Sequence, residues 1–157
     1  MSQSRANPIA VEVTRGQSPE TAFVESRHRA SCAVVAADGT IVHGWGDVDQ
    51  LVFPRSAIKP IQALPLIETG AADAFGYSAA EISLACASHH AEDRHVEAVT
   101  DILGRIGLTA EALECGPKVS IDEAVKIERL KKGVEPSRLR SDCSGKHTGF
   151  LATAMHM

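Results

Sequence analysis

The chain is 157 residues long, 44% apolar and 23% charged, the balance of a soluble globular domain that can bury one respectable core. Its formal net charge of -4, with Lys and Arg interleaved among acids, argues against a protein built to hold nucleic acid. Residues 1–7 are polar, without the apolar stretch of a secretory leader, and no apolar run is long enough to cross a bilayer, so a cytoplasmic protein with no membrane partner is expected.

Residues 8–14 partly alternate apolar and polar side chains, as an edge or half-buried strand does, and residues 21–29 read as a second, more polar strand. A hairpin follows, from Cys32 through Asp38-Gly39 to Trp45, with Asp-Gly supplying the positive backbone dihedrals of a tight turn. The first fifty residues therefore read as one antiparallel sheet, with Cys32 as a small buried apolar group and His43 and Trp45 packing a sheet face. The four cysteines, Cys32, Cys86, Cys115 and Cys143, lie far apart with no Cys-x-x-Cys pair, so reduced thiols are expected rather than a disulfide framework.

Phe53-Pro54-Arg55-Ser56-Ala57-Ile58-Lys59-Pro60 places a hydroxyl and an amine three residues apart just after a turn signal. On a helix Ser56 and Lys59 share a face, close enough for their tips to hydrogen-bond. A serine needs a base to become a nucleophile, and a lysine serves only when burial or a nearby cation lowers its pKa. Arg55 has the planar fork that holds a carboxylate, while Pro60 opposes the carbonyl of Ser56 and distorts the first turn. Ile58, Ile61, Leu64 and Ile67 recur at helical spacing, which predicts a buried central helix over residues 56–68, interrupted by Pro65 and ended by Gly70. Its first-turn amides and dipole would face an oxyanion forming at Ser56.

Ser78 and Glu81 form a capping box for a helix through Ile82, Leu84 and Cys86. It leads into the polar cluster Ala87-Ser88-His89-His90-Ala91-Glu92-Asp93, where Ser88 is placed to bind or activate a substrate. The histidines there lack the His-x-x-x-His spacing of a helical zinc pair and read as solvated groups at a helix junction. Residues 94–108 predict an amphipathic helix with Val96, Val99, Leu103 and Ile106 inward, and 109–113 a short helical turn. Ser120 and Glu123 read as a second capping box for a helix over residues 122–131. Its basic face, with Arg138 and Arg140, reads as solvated, or as a surface that steers anions.

The second dense polar stretch is Ser141-Asp142-Cys143-Ser144-Gly145-Lys146-His147-Thr148-Gly149. A phosphate-binding loop fails here, because His147 stands where Ser or Thr should hold magnesium and Arg140 stands where the first glycine should be. What remains is Cys143, Lys146 and His147 on one face of a helical turn, a pattern open to metal ligation, to a thiol paired with a base, or to a buried thiol at a loop-to-helix junction.

Together, Phe-Pro-Arg-Ser56-Ala-Ile-Lys59-Pro-Ile-Gln, Ala-Ser88-His89 and Asp-Cys143-Ser-Gly-Lys146-His147 resemble the bacterial L-asparaginase family of the Rhizobial type (class 3, asparaginase II), along essentially the whole chain. The resemblance implies an α/β fold similar to serine β-lactamases and penicillin-binding proteins, with an antiparallel N-terminal sheet packed with helices. It further implies a homodimer, and hydrolysis of L-asparagine to L-aspartate and ammonia. Carried over by residue, Ser56 is the nucleophile, Lys59 its base and Ser88 a second catalytic hydroxyl. Arg55 and His147 line the substrate, and Cys143 and Lys146 are two ligands of the family's zinc. The family's chains are longer, and its further zinc-binding cysteine and second catalytic lysine fall past residue 157. With the chain closing inside an uncapped helical pattern, residues 1–157 are expected to be the N-terminal part of a single, incomplete asparaginase-like domain. Two rivals stand beside this reading. A β-lactam or peptide hydrolase should carry Ser-Asp-Asn and Lys-Thr-Gly elements, which are missing, and the other rival is an inactive zinc-binding module.

Overall fold

Alternating β-branched residues build the first strands. In the computed structural model, which describes residues 7–157, β1 (Ile9–Arg15) pairs antiparallel with β2 (Phe23–Arg29), and β3 (Cys32–Val35) pairs antiparallel with β4 (Ile41–Trp45). These are two separate two-stranded sheets rather than the single sheet expected. The reason lies between them, where the amide of Ala30 donates to Pro8 O at 3.2 Å, extending the first ladder instead of turning β3 back onto β2. At the β3–β4 turn only Gly39 takes a positive φ, of 88°, and its amide donates to Ala36 O, while the Asp38 carboxylate accepts from the Thr40 amide at 2.9 Å. Cys32 is exposed rather than buried, and His43 and Trp45 stack on each other at 5.9 Å on an exposed surface. A two-stranded ribbon is too small to bury its own apolar residues, which stay in contact with water.

The chain divides into two compact units, one closing at Phe53 and a helical one running Pro54–Met157. In the helical unit a 3₁₀ turn, Arg55–Ile58, runs into the short helices α1 (Lys59–Gln62) and α2 (Leu64–Glu68). The continuous helix predicted over 56–68 is thus broken twice, because Pro60 and Pro65 each lack an amide to donate and each sits in the first turn of a new helix. Its apolar character does not bury it all round either. Lys59, Ala63 and Leu66 face inward, while Ile61 is 66% and Leu64 48% exposed. With apolar residues on every side, the pattern left the inner face unspecified. Ala63 is small enough for close approach, and the Lys59 amine finds oxygen partners inside.

α3 (Ala71–Ala74) and α4 (Ala79–Ala85) follow, the latter opened by the expected capping box, in which Ser78 Oγ accepts from the Glu81 amide and the Glu81 carboxylate accepts from the Ser78 amide. α5 (Asp93–Arg105) buries Val99 and Leu103 as its periodicity predicts, and Ile102 besides, with Ile106 buried just past its end, whereas Val96 is only half-buried. α6 (Glu123–Lys131) starts differently from the expectation. Asp122, not Ser120, caps it, accepting from the Val125 amide at 2.9 Å, while the Ser120 hydroxyl donates to His90 O at 2.8 Å.

The central helix is the last, α7 (Ser144–His156), which buries Ser144, Gly145, Thr148, Gly149 and Ala152. Small residues let neighbours come close. A Cβ added at Gly145 would lie 2.6 Å from Leu84 Cγ and 2.7 Å from Leu84 O, so α4 and α7 can meet only at glycine. Leu66, Leu84, Val99, Leu103, Ile106 and Leu113 complete the core around it. Among the described residues, no helix is long and apolar enough to cross a membrane.

Candidate active site

Pro60 donates no hydrogen bond, so the carbonyl of Ser56 is taken by the Lys59 amide, and this tightens the backbone into the 3₁₀ turn that carries the serine. Arg55, just before it, has φ of 53°, a left-handed conformation that a side chain adopts only under constraint. The turn therefore presents Ser56 exposed while Lys59, one step further on, is buried at 3% exposure.

The two side chains do not meet directly. Lys59 Nζ donates to Ser88 Oγ at 2.8 Å, and Ser88 Oγ donates to Ser56 Oγ at 3.1 Å. The direct contact expected from the Ser-x-x-Lys spacing is replaced by a chain of three residues with Ser88 in the middle. Lys59 Nζ also donates to Ala87 O at 3.1 Å and Asp142 O at 3.4 Å. Burial, above all, lowers its pKa below the ordinary lysine value, with Cys143 and Asp142 opposing the shift and Lys146 and Lys118 adding to it.

Asp142 contributes in a way side-chain patterns do not reveal. Its carbonyl accepts from Lys59 and from the His89 amide at 3.1 Å, while its carboxylate is held by Lys118. The same carbonyl thus ties together the three polar motifs. His89, expected to be a solvated histidine, is buried and hydrogen-bonded at both ring nitrogens. His90 is exposed and His95 half-buried. Beside Ser88 a cleft of about 540 Å³ opens, lined in part by Ser83, His90, Glu92, Arg94 and His95.

Cys143 is the N-cap of α7, half-buried, with its thiol 3.5 Å from Ser141 Oγ. The His147 amide donates to Cys143 O at 3.0 Å, which sets Cys143, Lys146 and His147 on successive positions of one turn. The Lys146 amine lies over the Phe150 ring at 5.3 Å, and the His147 ring lies 5.9 Å from the same ring. Burial, then the charges of Lys146 and Lys59, lower the His147 pKa, keeping the ring neutral near pH 7. Among the described residues no three His, Cys, Asp or Glu side chains gather as metal ligands. Thiolate and neutral amine are donors that suit zinc, so Cys143 and Lys146 fit it as part of a four-ligand set.

A family model described as L-asparaginase II matches residues 11–157. No curated protein matches the chain.

Proposed function

This chain belongs to the L-asparaginase II family, and from that premise we propose that it acts on L-asparagine, releasing L-aspartate and ammonia through an acyl-enzyme on Ser56. The observation that carries this reading is the chain Lys59–Ser88–Ser56, at 2.8 and 3.1 Å, with a buried amine at its far end.

With Lys59 neutral, its amine accepts the Ser88 proton while Ser88 accepts that of Ser56, and Ser56 Oγ attacks the side-chain amide carbon. The hydrogen bonds of the resting state run outward from the lysine, and the lowering of the Lys59 pKa by burial favours the neutral amine that can react. Once the tetrahedral intermediate forms, the proton on Lys59 returns through the Ser88 hydroxyl directly to the departing nitrogen, since Ser56 Oγ is now bonded to carbon, and ammonia leaves as the C–N bond breaks. Water then attacks the ester, giving a proton through Ser88 to Lys59, and the proton returns by Ser88 to Ser56 Oγ as the acyl–oxygen bond breaks and aspartate is released. Arg55 is the partner for a substrate carboxylate, and neutral His147 borders the same substrate.

Cys143 and Lys146 would hold zinc, which supplies Lewis-acid anchoring of a substrate oxygen when bound. The proposal extends to the serine β-lactamase-like fold, the homodimer and the cytoplasmic location that the family resemblance implies. It is tested by ammonia release from L-asparagine and L-glutamine, together with mass spectrometry of Ser56 after reaction with an electrophilic asparagine analogue. An adduct on Ser56, and turnover that falls at least ~1,000-fold in Ser56→Ala, are the expected results. Full turnover in Ser56→Ala defeats the reading.

A further inference from the structure

We propose that His89 is the positioning residue of this relay: its imidazole, held as the neutral Nε2–H tautomer between Ala91 and Ser144, fixes the loop that presents Ser88 to Lys59 and Ser56. The inference rests on the reading of Ser88 as the middle of the proton path, and goes beyond it by naming what keeps Ser88 there.

The hydrogen bonds assign every proton. The amide of Ala91 can only donate, and it donates to His89 Nδ1 at 3.1 Å, so Nδ1 carries a lone pair. In the neutral ring Nε2 then carries the hydrogen, and it reaches Ser144 Oγ at 2.9 Å. The Ser144 hydroxyl passes its own hydrogen to Leu139 O at 2.9 Å. No lone pair or proton of the ring is left for a substrate or a metal, which excludes His89 as the base and as a ligand.

The strain in this loop shows why such a clamp is needed. Ala91 is fully buried and has φ of 60°, the second non-glycine residue in the left-handed region among those described. The ring of His89 captures the amide of Ala91 and so holds that conformation. From outside, the Ser120 hydroxyl donates to His90 O at 2.8 Å and the His89 amide donates to Asp142 O at 3.1 Å. Ser88, one residue away, makes both of its relay bonds from an exposed position. Its aim depends on the residue that follows it. His95, whose ring centroid is 5.1 Å from that of His89, occupies another side of the imidazole and makes no hydrogen bond at Nδ1.

Steady-state kinetics of the whole chain with L-asparagine test the inference. In His89→Leu, which keeps bulk and loses both ring bonds, kcat is expected to fall about 30-fold while KM changes less than about threefold. His89→Gln, which keeps a donor where Nε2 lies, is expected to recover to within about fivefold of the parent. In a Ser88→Ala background His89→Leu is expected to cost nothing further, because a residue that acts through Ser88 has nothing left to position. An equal fold-loss in both backgrounds overturns the positioning role, as does parental kcat in His89→Leu when Ser88→Ala is impaired. Full turnover in Ser88→Ala overturns the relay itself and is thereby told apart. Independently of turnover, long-range proton–nitrogen NMR at pH 7 is expected to show His89 with a bare Nδ1 and a protonated Nε2. A ring protonated at Nδ1 overturns the inference.

Discussion

Lys59 and Lys146 each stand three residues after a candidate reactive side chain, Ser56 and Cys143, yet their surroundings are opposite. Lys59 is 3% exposed and surrounded by oxygens, those of Ser88, Ala87 and Asp142. Lys146 is half-buried and rests on the face of Phe150. A buried amine with fixed acceptors is already organised for proton transfer, whereas an amine lying on a ring is held loosely and can turn to a new partner. The same three-residue spacing thus yields an amine hydrogen-bonded on all sides in one place and an amine resting on an aromatic ring in the other.

Exchanging each lysine for methionine separates the two. Lys59→Met is expected to lower kcat about 1,000-fold, equivalent to about 4 kcal/mol of transition-state stabilisation. Lys146→Met is expected to leave Ser56 reactive toward an electrophilic probe and to reduce bound zinc, read by elemental analysis after dialysis. Equal loss of Ser56 labelling in the two variants would erase the distinction.

The next effect is one of pH. Burial, then the charge of His95, hold the His89 pKa at about 4, against 6.5 for an unperturbed histidine. Between those values the unfolded chain binds a proton that the native state refuses. Stability is therefore full above about pH 6.5, declines as pH falls, and has lost on the order of 3 kcal/mol below about pH 4. Urea denaturation across that range measures it, and His89→Gln should flatten this component of the slope.

Smaller still is the expected cost of Gly145→Ala, about 1–3 kcal/mol, because the added methyl would press on Leu84 Cγ and on its carbonyl. Since Gly145 lies in the first turn of α7, the shift should disturb Cys143 and Lys146 more than Ser56. Zinc content falling before Ser56 labelling is the pattern that checks it.

Much of the local structure could be read from the letters, and the reasons are local. The Ser78–Glu81 capping box and the inward stripe of α5 are determined by residues within a few positions of one another. The three polar motifs were legible for the same reason. What escaped depends on partners distant in the chain. Ser88 lies between Ser56 and Lys59 because a loop 29 residues beyond Lys59 returns to it. Asp142 works through a carbonyl that every residue possesses, so its side chain gives no hint of it. His89 looked like a solvated histidine because nothing nearby in sequence foretold that Ser144, 55 residues on, would accept its proton. The inner face of α1 and α2 was undecidable while apolar residues occupied every side.

The backbone at Arg55 has one more consequence. Glycine adopts a φ of 53° freely, so Arg55→Gly should relieve strain on the order of 1 kcal/mol while deleting the guanidinium. Laboratory evolution toward heat tolerance alone would accordingly drift to glycine here, and evolution toward turnover would keep arginine. That single codon would record which of the two pressures a library had been under.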